Sequence, residues 1–167
     1  ALAVAATSWV MKIPGEAVSK GVEAFHGAGR RMEFKGTYHG AQVYDDYAHH
    51  PDELRATLEA IRSMGDHRLV LAFQPHTYTR TKLLMDDFIR ELKKADVVVL
   101  AEIYAARESN TIGISSADLA AQIPGSIYCE TLQDVTETLR KIVKEGDIVV
   151  TMGAGDIFRA GEALLAE

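Results

Sequence analysis

The segment Leu69–His76 (LVLAFQPH) decides the fold, because five apolar residues are followed at once by a polar cluster. An uninterrupted apolar run of this length is typical of a strand that is buried on both faces. Three further short runs, apolar and rich in β-branched residues, lie at Val97–Leu100, Ser126–Tyr128 and Ile148–Thr151. Strands of this kind belong to parallel sheets that helices cover on both faces, so the four runs predict such a sheet.

The segments between these strands have apolar residues at helical spacing. The three apolar stripes consist of Leu54, Leu58 and Ile61, of Leu84, Phe88 and Leu92, and of Val135, Leu139 and Ile142. Pro51 suits the first position of a helix, and Thr131 with Asp134 resembles a capping box before the third stripe. These signals predict helices that alternate with the strands.

Two helices are expected at the start of the chain. Ala1–Val10 is rich in alanine and predicts a helix, which cannot continue through Pro14–Gly15. Glu16–Phe25 resumes a helical pattern. Residues 26–29 then supply a flexible break. We place a domain boundary near Gly29–Glu33.

A hairpin is expected directly after this boundary. Met32–Thr37 and Ala41–Tyr47 are strand candidates, and His39–Gly40 between them suits a tight turn. The predicted fold class is therefore α/β, with a Rossmann-like, mostly parallel sheet, helices on both faces and an N-terminal β-hairpin.

The composition excludes several classes of protein. The 167 residues carry a formal net charge of −6 with acidic and basic residues scattered along the chain, whereas a nucleic-acid groove needs clustered cations. No apolar run approaches the roughly 20 residues that span a bilayer. Cys129 is the single cysteine, which favours a reducing compartment and a cytoplasmic protein. We expect neither a nucleic-acid partner nor a membrane partner.

Three polar clusters follow predicted strands, where parallel sheets bind their ligands. Asp45–Pro51 combines two carboxylates and two imidazoles, either as a functional site or as helix caps. Gln74–Arg80 offers an imidazole and a guanidinium, which could hold an amine and a carboxylate, or it is a solvated turn. Thr151–Asp156 is rich in glycine, but Phe158 stands where a dinucleotide fingerprint needs a third glycine, so a tight turn is expected.

Four stretches together resemble the Mur ligases. They are Gly29–Glu33 (GRRME), Asp45–Glu53 (DDYAHHPDE), Phe73–Lys82 (FQPHTYTRTK) and Glu102–Glu108 (EIYAARE). The resemblance covers essentially the whole chain, and the spacing of the second and third stretches is its most specific feature. It implies ATP-dependent ligation of L-alanine to UDP-N-acetylmuramate through an acyl phosphate, in peptidoglycan precursor synthesis.

The resemblance also implies how the chain is divided. Residues 1–29 would be a remnant of the central ATP-binding domain with its linker, and residues 30–167 the C-terminal domain of the family. The phosphate loop and most magnesium ligands would belong to the N-terminal and central domains of the same chain, which are missing here. The fragment alone would be inactive, and no metal ligand is expected within it.

Residue roles carried over from the family fall into two groups. Arg31 matches the arginine near the ATP phosphates, and Asp46 matches an aspartate that contacts the nucleotide. The positions that surround the incoming amino acid are Tyr47, His49, His76 and Arg80. Thr77 stands where relatives carry arginine, which removes one expected contact to the alanine carboxylate.

Three alternatives stay open from the sequence, and one of them is a catalytically silent nucleotide-binding module. A ligase that attaches a recycled tripeptide to the same UDP-sugar would share these motifs, although the stretch Tyr104–Glu108 favours the alanine-adding enzyme. A metallohydrolase could use Asp45, Asp46, His49, His50 and His76 as ligands.

Overall fold

The computed structural model describes residues 2–25 and 27–166; Ala1 of the first predicted helix and His26 of the predicted break lie outside them. The strands are β1 (Glu33–Tyr38), β2 (Ala41–Asp46), β3 (Leu69–Phe73), β4 (Val97–Ala101), β5 (Ile127–Cys129) and β6 (Ile148–Met152). The helices are α1 (Leu2–Val10), α2 (Gly15–Glu23), α3 (Pro51–Ser63), α4 (Tyr78–Leu83), α5 (Met85–Leu92), α6 (Ser116–Ala120), α7 (Leu132–Ile142) and α8 (Phe158–Leu165).

The six strands form one mixed sheet in the order β1-β2-β6-β3-β4-β5. β1 pairs antiparallel with β2, and every other neighbouring pair is parallel. At the turn between β1 and β2, His39 has φ +46° and Gly40 has φ +83°, as a two-residue hairpin turn requires. The predicted mostly parallel sheet and its N-terminal hairpin are confirmed.

Helices cover both faces of the sheet, as predicted, and each face has its own apolar core. On one face the stripes of α3 and α5 pack with α6 and the sheet, through Leu58, Phe88 and Leu119. On the other face α7 and α8 pack against the sheet through Leu139 and Leu164. All residues of the first predicted stripe are buried, because one face of α3 lies against the sheet.

Two details of the helices differ from the sequence prediction. The second predicted stripe starts at Leu84 and lies along α5; at Leu84 a φ of −108° and a ψ of 21° separate α5 from α4, which the stripe did not include. α6 is five residues long and was not predicted, because so short a helix has too little periodicity to detect. The capping box at Thr131 and Asp134 is confirmed, since Thr131 Oγ1 accepts the amide of Asp134 at 3.1 Å.

The helices α1 and α2 pack against each other and expose apolar side chains. Trp9 is 86% exposed, and Val10 and Phe25 are also exposed. Among the residues that the structure describes, none of the helices has both the length and the apolar character needed to cross a membrane.

Candidate functional site

The topology places one crevice at the carboxyl ends of the strands. β3 and β6 are neighbours, but the chain leaves β3 towards β4, while α8, which follows β6, packs on the side of β1 and β2. A sheet opens between two such strands, and ligands of α/β proteins bind there. The residues after β3 and β6 therefore decide whether this crevice can hold a ligand.

Gln74, directly after β3, fills this crevice with its own side chain. Its Oε1 accepts the amides of Asp156 and Ile157 at 3.0 and 3.1 Å, and its Nε2 donates to Asp156 Oδ1 at 3.0 Å. The amides that precede α8, which could have bound an anion, are thus occupied within the protein. The Thr151–Asp156 cluster is a tight turn, as expected, with a structural partner.

The glycines of this turn are required by close packing. Gly153 has φ +149°, and a Cβ there would lie 2.6 Å from the carbonyl oxygen of Gln74. A Cβ on Gly155 would overlap Gln74 Oε1 and lie 2.7 Å from Cγ of Tyr104. The turn therefore packs closely against Gln74 on one side and against Tyr104 on the other.

Beside the filled crevice, four aromatic rings form a continuous ladder. Tyr47 meets His49 edge to face at 5.4 Å, and His49 meets His76 at 5.8 Å between ring centroids. His76 stacks on Tyr104 at 5.7 Å, where a parallel bridge joins the two residues. Tyr47, His49 and His76, which the sequence predicted to share a site, are brought together from the loops after β2 and β3.

Within the described part of the chain, two polar atoms in this region are buried without a hydrogen-bond partner. They are Nδ1 of His76 and one terminal guanidinium nitrogen, Nη1, of Arg80. A buried polar atom without a partner is costly, so both atoms have hydrogen-bonding capacity available to a ligand or to water. Burial, with the nearby charges of Arg80 and His49, lowers the pKa of His76, so its imidazole is neutral at neutral pH.

Two carboxylates fix the loops that carry these side chains. Glu53 accepts the amides of His49 and His50 at 2.9 and 3.2 Å; burial raises its pKa, but these bonds outweigh burial and the net shift is downward. Glu108 accepts the hydroxyl and the amide of Thr79, which lowers the pKa of this carboxyl group. Both carboxylates are ionised at neutral pH and hold the loops in place.

The backbone of the β3–α4 loop has an unusual conformation. Thr77 has φ +70°, a left-handed value that β-branched residues rarely adopt. The loop is held there because the amide of Thr77 donates to Tyr104 O at 2.9 Å, and Thr81 Oγ1 donates to Thr77 O at 2.7 Å. His76 and Arg80 are thus presented from a fixed loop and the helix that follows it.

The two adjacent carboxylates Asp45 and Asp46 are already engaged. Asp45 accepts from Arg30 Nε and from Thr151 Oγ1, both at 2.7 Å. Asp46 accepts the amides of Met32 at 2.9 Å and of Ala48 at 2.7 Å. Asp46 therefore shapes the loop, and its predicted contact with a nucleotide stays a prediction.

These contacts also bear on the metallohydrolase alternative. Within residues 2–25 and 27–166, no group of three His, Cys, Asp or Glu side chains is close enough to hold a metal ion. His50, one of the two neighbouring histidines, accepts the amide of Asp52 at 3.3 Å as a helix cap. Of the side chains that could have formed a metal site, those of Asp45, Asp46 and His50 instead fix loops and a helix end.

A comparison with known families matches residues 30–155 to the domain described as the glutamate ligase domain of Mur ligases. Except for Gly29, the match covers the sheet and all four stretches on which the sequence resemblance rests. The chain belongs to the Mur ligase family.

Relatives within the Mur ligases share sequence along the whole chain. The UDP-N-acetylmuramate–L-alanine ligase of Lachnospira eligens is 48% identical over 98% of this chain. The enzyme of the same name from Agathobacter rectalis is 46% identical over 99% of it. The chain spans only 37% of the length of each of these relatives.

Solved structures agree with this assignment. A UDP-N-acetylmuramate–alanine ligase from Thermotoga maritima superposes with a TM-score of 0.73 at 25% identity, over 96% of this chain and 35% of that one. A folylpolyglutamate synthase/dihydrofolate synthase from Yersinia pestis, complexed with AMPPNP and a Mn ion, has a TM-score of 0.66 at 14% identity. The superposition covers 92% of this chain and 34% of the synthase chain. This second likeness shows the fold alone.

Several residues of this Mur ligase site had no assigned role in the sequence analysis. Gln74, Tyr104 and Glu108 lie inside the stretches that carried the resemblance, so position within a motif was the available signal. Arg30 was passed over in favour of its neighbour Arg31. Hydrogen bonds between loops that are far apart in the chain cannot be read from sequence spacing, which is why these residues were missed.

Proposed function

We propose that this chain is the amino-acid-binding and closing domain of an ATP-dependent ligase that joins L-alanine to UDP-N-acetylmuramate. The observation that carries the proposal is the pairing of two unpartnered buried atoms, His76 Nδ1 and Arg80 Nη1, beside the aromatic ladder. The names of relatives that match almost the whole chain at 46–48% identity support the choice of reaction.

The chemistry of the pair suits a small zwitterion. A guanidinium such as that of Arg80 binds a carboxylate through two parallel hydrogen bonds. A neutral imidazole, as His76 provides, can accept a hydrogen bond from an amine without repelling an ammonium group. Tyr47 and His49 would line the same site from the loop after β2.

Arg31 and Asp46 are the residues that we assign to the nucleotide. Arg31 is exposed and makes no hydrogen bond or ion pair within the described ranges 2–25 and 27–166, so its guanidinium is available to phosphate oxygens. The Asp46 oxygens each accept one amide, which leaves a lone pair on each for a ribose hydroxyl. In this reaction ATP supplies the phosphoryl group that activates the muramoyl carboxylate.

The remaining parts of the reaction would come from outside these residues. We propose that residues 1–29 belong to the central domain and residues 30–167 to the C-terminal domain, with the phosphate loop and the magnesium ligands elsewhere in a longer chain. The exposed apolar side chains of α1 and α2 are consistent with packing against further structure. We place the enzyme in the cytoplasm, where this substrate class is assembled.

The test is a kinetic comparison of Arg80 variants in the complete ligase. Arg80→Ala should raise the KM for alanine about 10- to 100-fold, equivalent to the 1.5–3 kcal/mol of a charged hydrogen bond. Arg80→Lys should restore only part of the affinity, because an ammonium group cannot make the paired contact. The KM for ATP should stay within about twofold of wild type, since the proposed contact is made with alanine alone.

The same assay distinguishes the alternatives. Equal losses for alanine and ATP would show that Arg80 supports the fold, and no loss for either would contradict the proposed site. Efficient use of a tripeptide in place of alanine would assign the chain to the tripeptide-attaching ligase.

A further inference from the structure

The adjacent residues Arg30 and Arg31 have opposite surroundings. The Arg30 side chain donates from Nε to Asp45 at 2.7 Å, from Nη2 to Gly153 O at 2.7 Å and from Nη1 to Gly155 O at 3.1 Å. Its guanidinium also lies between two rings, 5.0 Å from that of Tyr47 and 4.6 Å from that of Phe158. Each of the three guanidinium nitrogens of Arg30 therefore donates a hydrogen bond within the protein, and two aromatic rings lie close to the group.

Arg31 instead lies on the surface, with one aromatic neighbour and with the carboxylate of Glu53 near enough to interact with its charge. Its guanidinium carbon is 5.7 Å from the ring centroid of Tyr47, the ring that Arg30 also contacts. Tyr47 is therefore shared by the two cations, one anchored and one exposed. A change in the position of Arg30 would be passed to Arg31 through this ring and through the backbone.

The backbone on both sides of Arg31 is held in a rare conformation. Arg30 has φ +55° and Met32 has φ +45°, left-handed values that are unfavourable for residues with a Cβ atom. Three bonds stabilise them: Arg30 N donates to Glu33 at 2.7 Å, Tyr47 N to Arg30 O at 2.7 Å, and Met32 N to Asp46 at 2.9 Å. Strain of this kind persists only where the surroundings enforce it.

We propose that Arg30 is a positioning residue whose anchored side chain sets the direction in which Arg31 points. The proposal rests on the proposed function in one respect, that Arg31 faces the phosphate groups during the reaction. Charge stabilisation in a transition state depends on a cation that is already in place, so an anchor next to that cation acts on turnover. A lysine could not replace Arg30, because an ammonium group lacks the planar fork that reaches the carboxylate and both carbonyl groups.

The test is a double-mutant cycle in the complete ligase. Arg30→Ala should lower kcat about 10- to 100-fold, the usual effect of a misplaced catalytic group, and leave the KM for alanine within about twofold. Arg31→Ala should lower kcat about 100- to 1,000-fold, the range for removing one charge-stabilising group. If Arg30 acts through Arg31, the kcat of the double variant should lie within about twofold of the kcat of Arg31→Ala.

Arg62 provides a matched control at the opposite end of α3. It donates to His67 O at 3.0 Å, to Lys94 O at 2.8 Å and to Asp96 at 3.0 Å, so it is another arginine held by two carbonyl groups and a carboxylate. Arg62→Ala should lower the melting temperature without changing kcat. This control separates loss of stability from loss of positioning.

Each outcome decides the question. The inference would be overturned if the kcat of the double variant fell by the product of the two single losses. It would also be overturned if Arg30→Ala left kcat unchanged. Neither result would affect the role of Arg31. An unchanged kcat in Arg31→Ala would overturn the phosphate role and the inference together. If Arg30→Ala does not fold, Asp45→Asn weakens the same anchor at constant size, and its loss of kcat should likewise vanish in the Arg31→Ala background.

Discussion

His76 shows how the surroundings of one residue set both its charge and the pH response of the protein. Burial is the largest influence on its pKa, followed by the positive charge of Arg80 and by His49; Glu108 acts in the opposite direction and is outweighed. The folded protein therefore binds a proton at His76 less readily than the unfolded chain, where the ordinary pKa is 6.5. Protonation favours the unfolded state.

This linkage predicts a loss of stability on the acid side of neutrality. As the pH falls from about 7.5 to about 5.5, the unfolded chain takes up a proton at His76 before the folded protein does, so the free energy of unfolding decreases. His76→Gln should remove this part of the decrease. Urea unfolding of both proteins across this pH range measures it, with His39→Gln in the hairpin turn as the control for losing an imidazole. The prediction would be contradicted if the free energy of unfolding of the wild type, relative to that of His76→Gln, did not decrease towards low pH.

At the scale of residues, the sequence predicted which side chains would gather but not what each would contact. His49, His76 and Tyr47 do meet, because parallel strands deliver the residues that follow them to one edge of the sheet. Asp45 and Asp46, at the end of β2, bond within the protein to Arg30, Thr151 and backbone amides, and the nucleotide contact predicted for Asp46 stays a prediction. Such partners are distant in the chain, and residue spacing carries no information about them.

At the scale of elements, the turn between β6 and α8 is the most tightly packed connection at the site. Gly153→Ala should destabilise the protein, since the new Cβ would lie 2.6 Å from a backbone oxygen that cannot move without shifting β3. Gly146→Ala is the matched control, because Gly146 also has a positive φ, of +82°, but has open space around the Cβ position. We expect Gly153→Ala to lose about 1–3 kcal/mol more than the control, the scale of overpacking a core. Chemical unfolding measures both, and equal losses would show that backbone conformation alone sets the cost.

The predicted elements agree with the structure wherever periodicity is strong. β3 was predicted with its observed bounds, Leu69–Phe73, because a buried strand between polar ends is unambiguous. No stripe indicated α4 as a separate helix, because the second apolar stripe begins at Leu84, where α4 has already ended. Side-chain periodicity reports the buried face of a helix, and it is silent about local breaks in the hydrogen-bond pattern.

At the scale of the whole molecule, the proposed distribution of the reaction's functional groups over several domains leads to a simple expectation. The sequence has no G-x-x-x-x-G-K-[ST] phosphate loop, so the 167-residue chain alone should neither hydrolyse ATP nor form a peptide bond. A phosphate-release assay with ATP, UDP-N-acetylmuramate and alanine measures this, with heat-treated protein as the baseline. Adding the central and N-terminal domains as a separate chain should restore turnover. Turnover by the 167-residue chain alone would contradict the proposed division.

The side chain of Gln74 has a consequence for inhibitor discovery. A phosphate mimic designed for the glycine-rich turn would have to displace an amide that already makes three hydrogen bonds there, and it would gain little in exchange. Fragment screens and docking grids centred on that turn would therefore return weak binders. Compounds that carry a carboxylate, directed at Arg80 Nη1 and His76 Nδ1, start from two buried atoms that have no hydrogen-bond partner among the described residues.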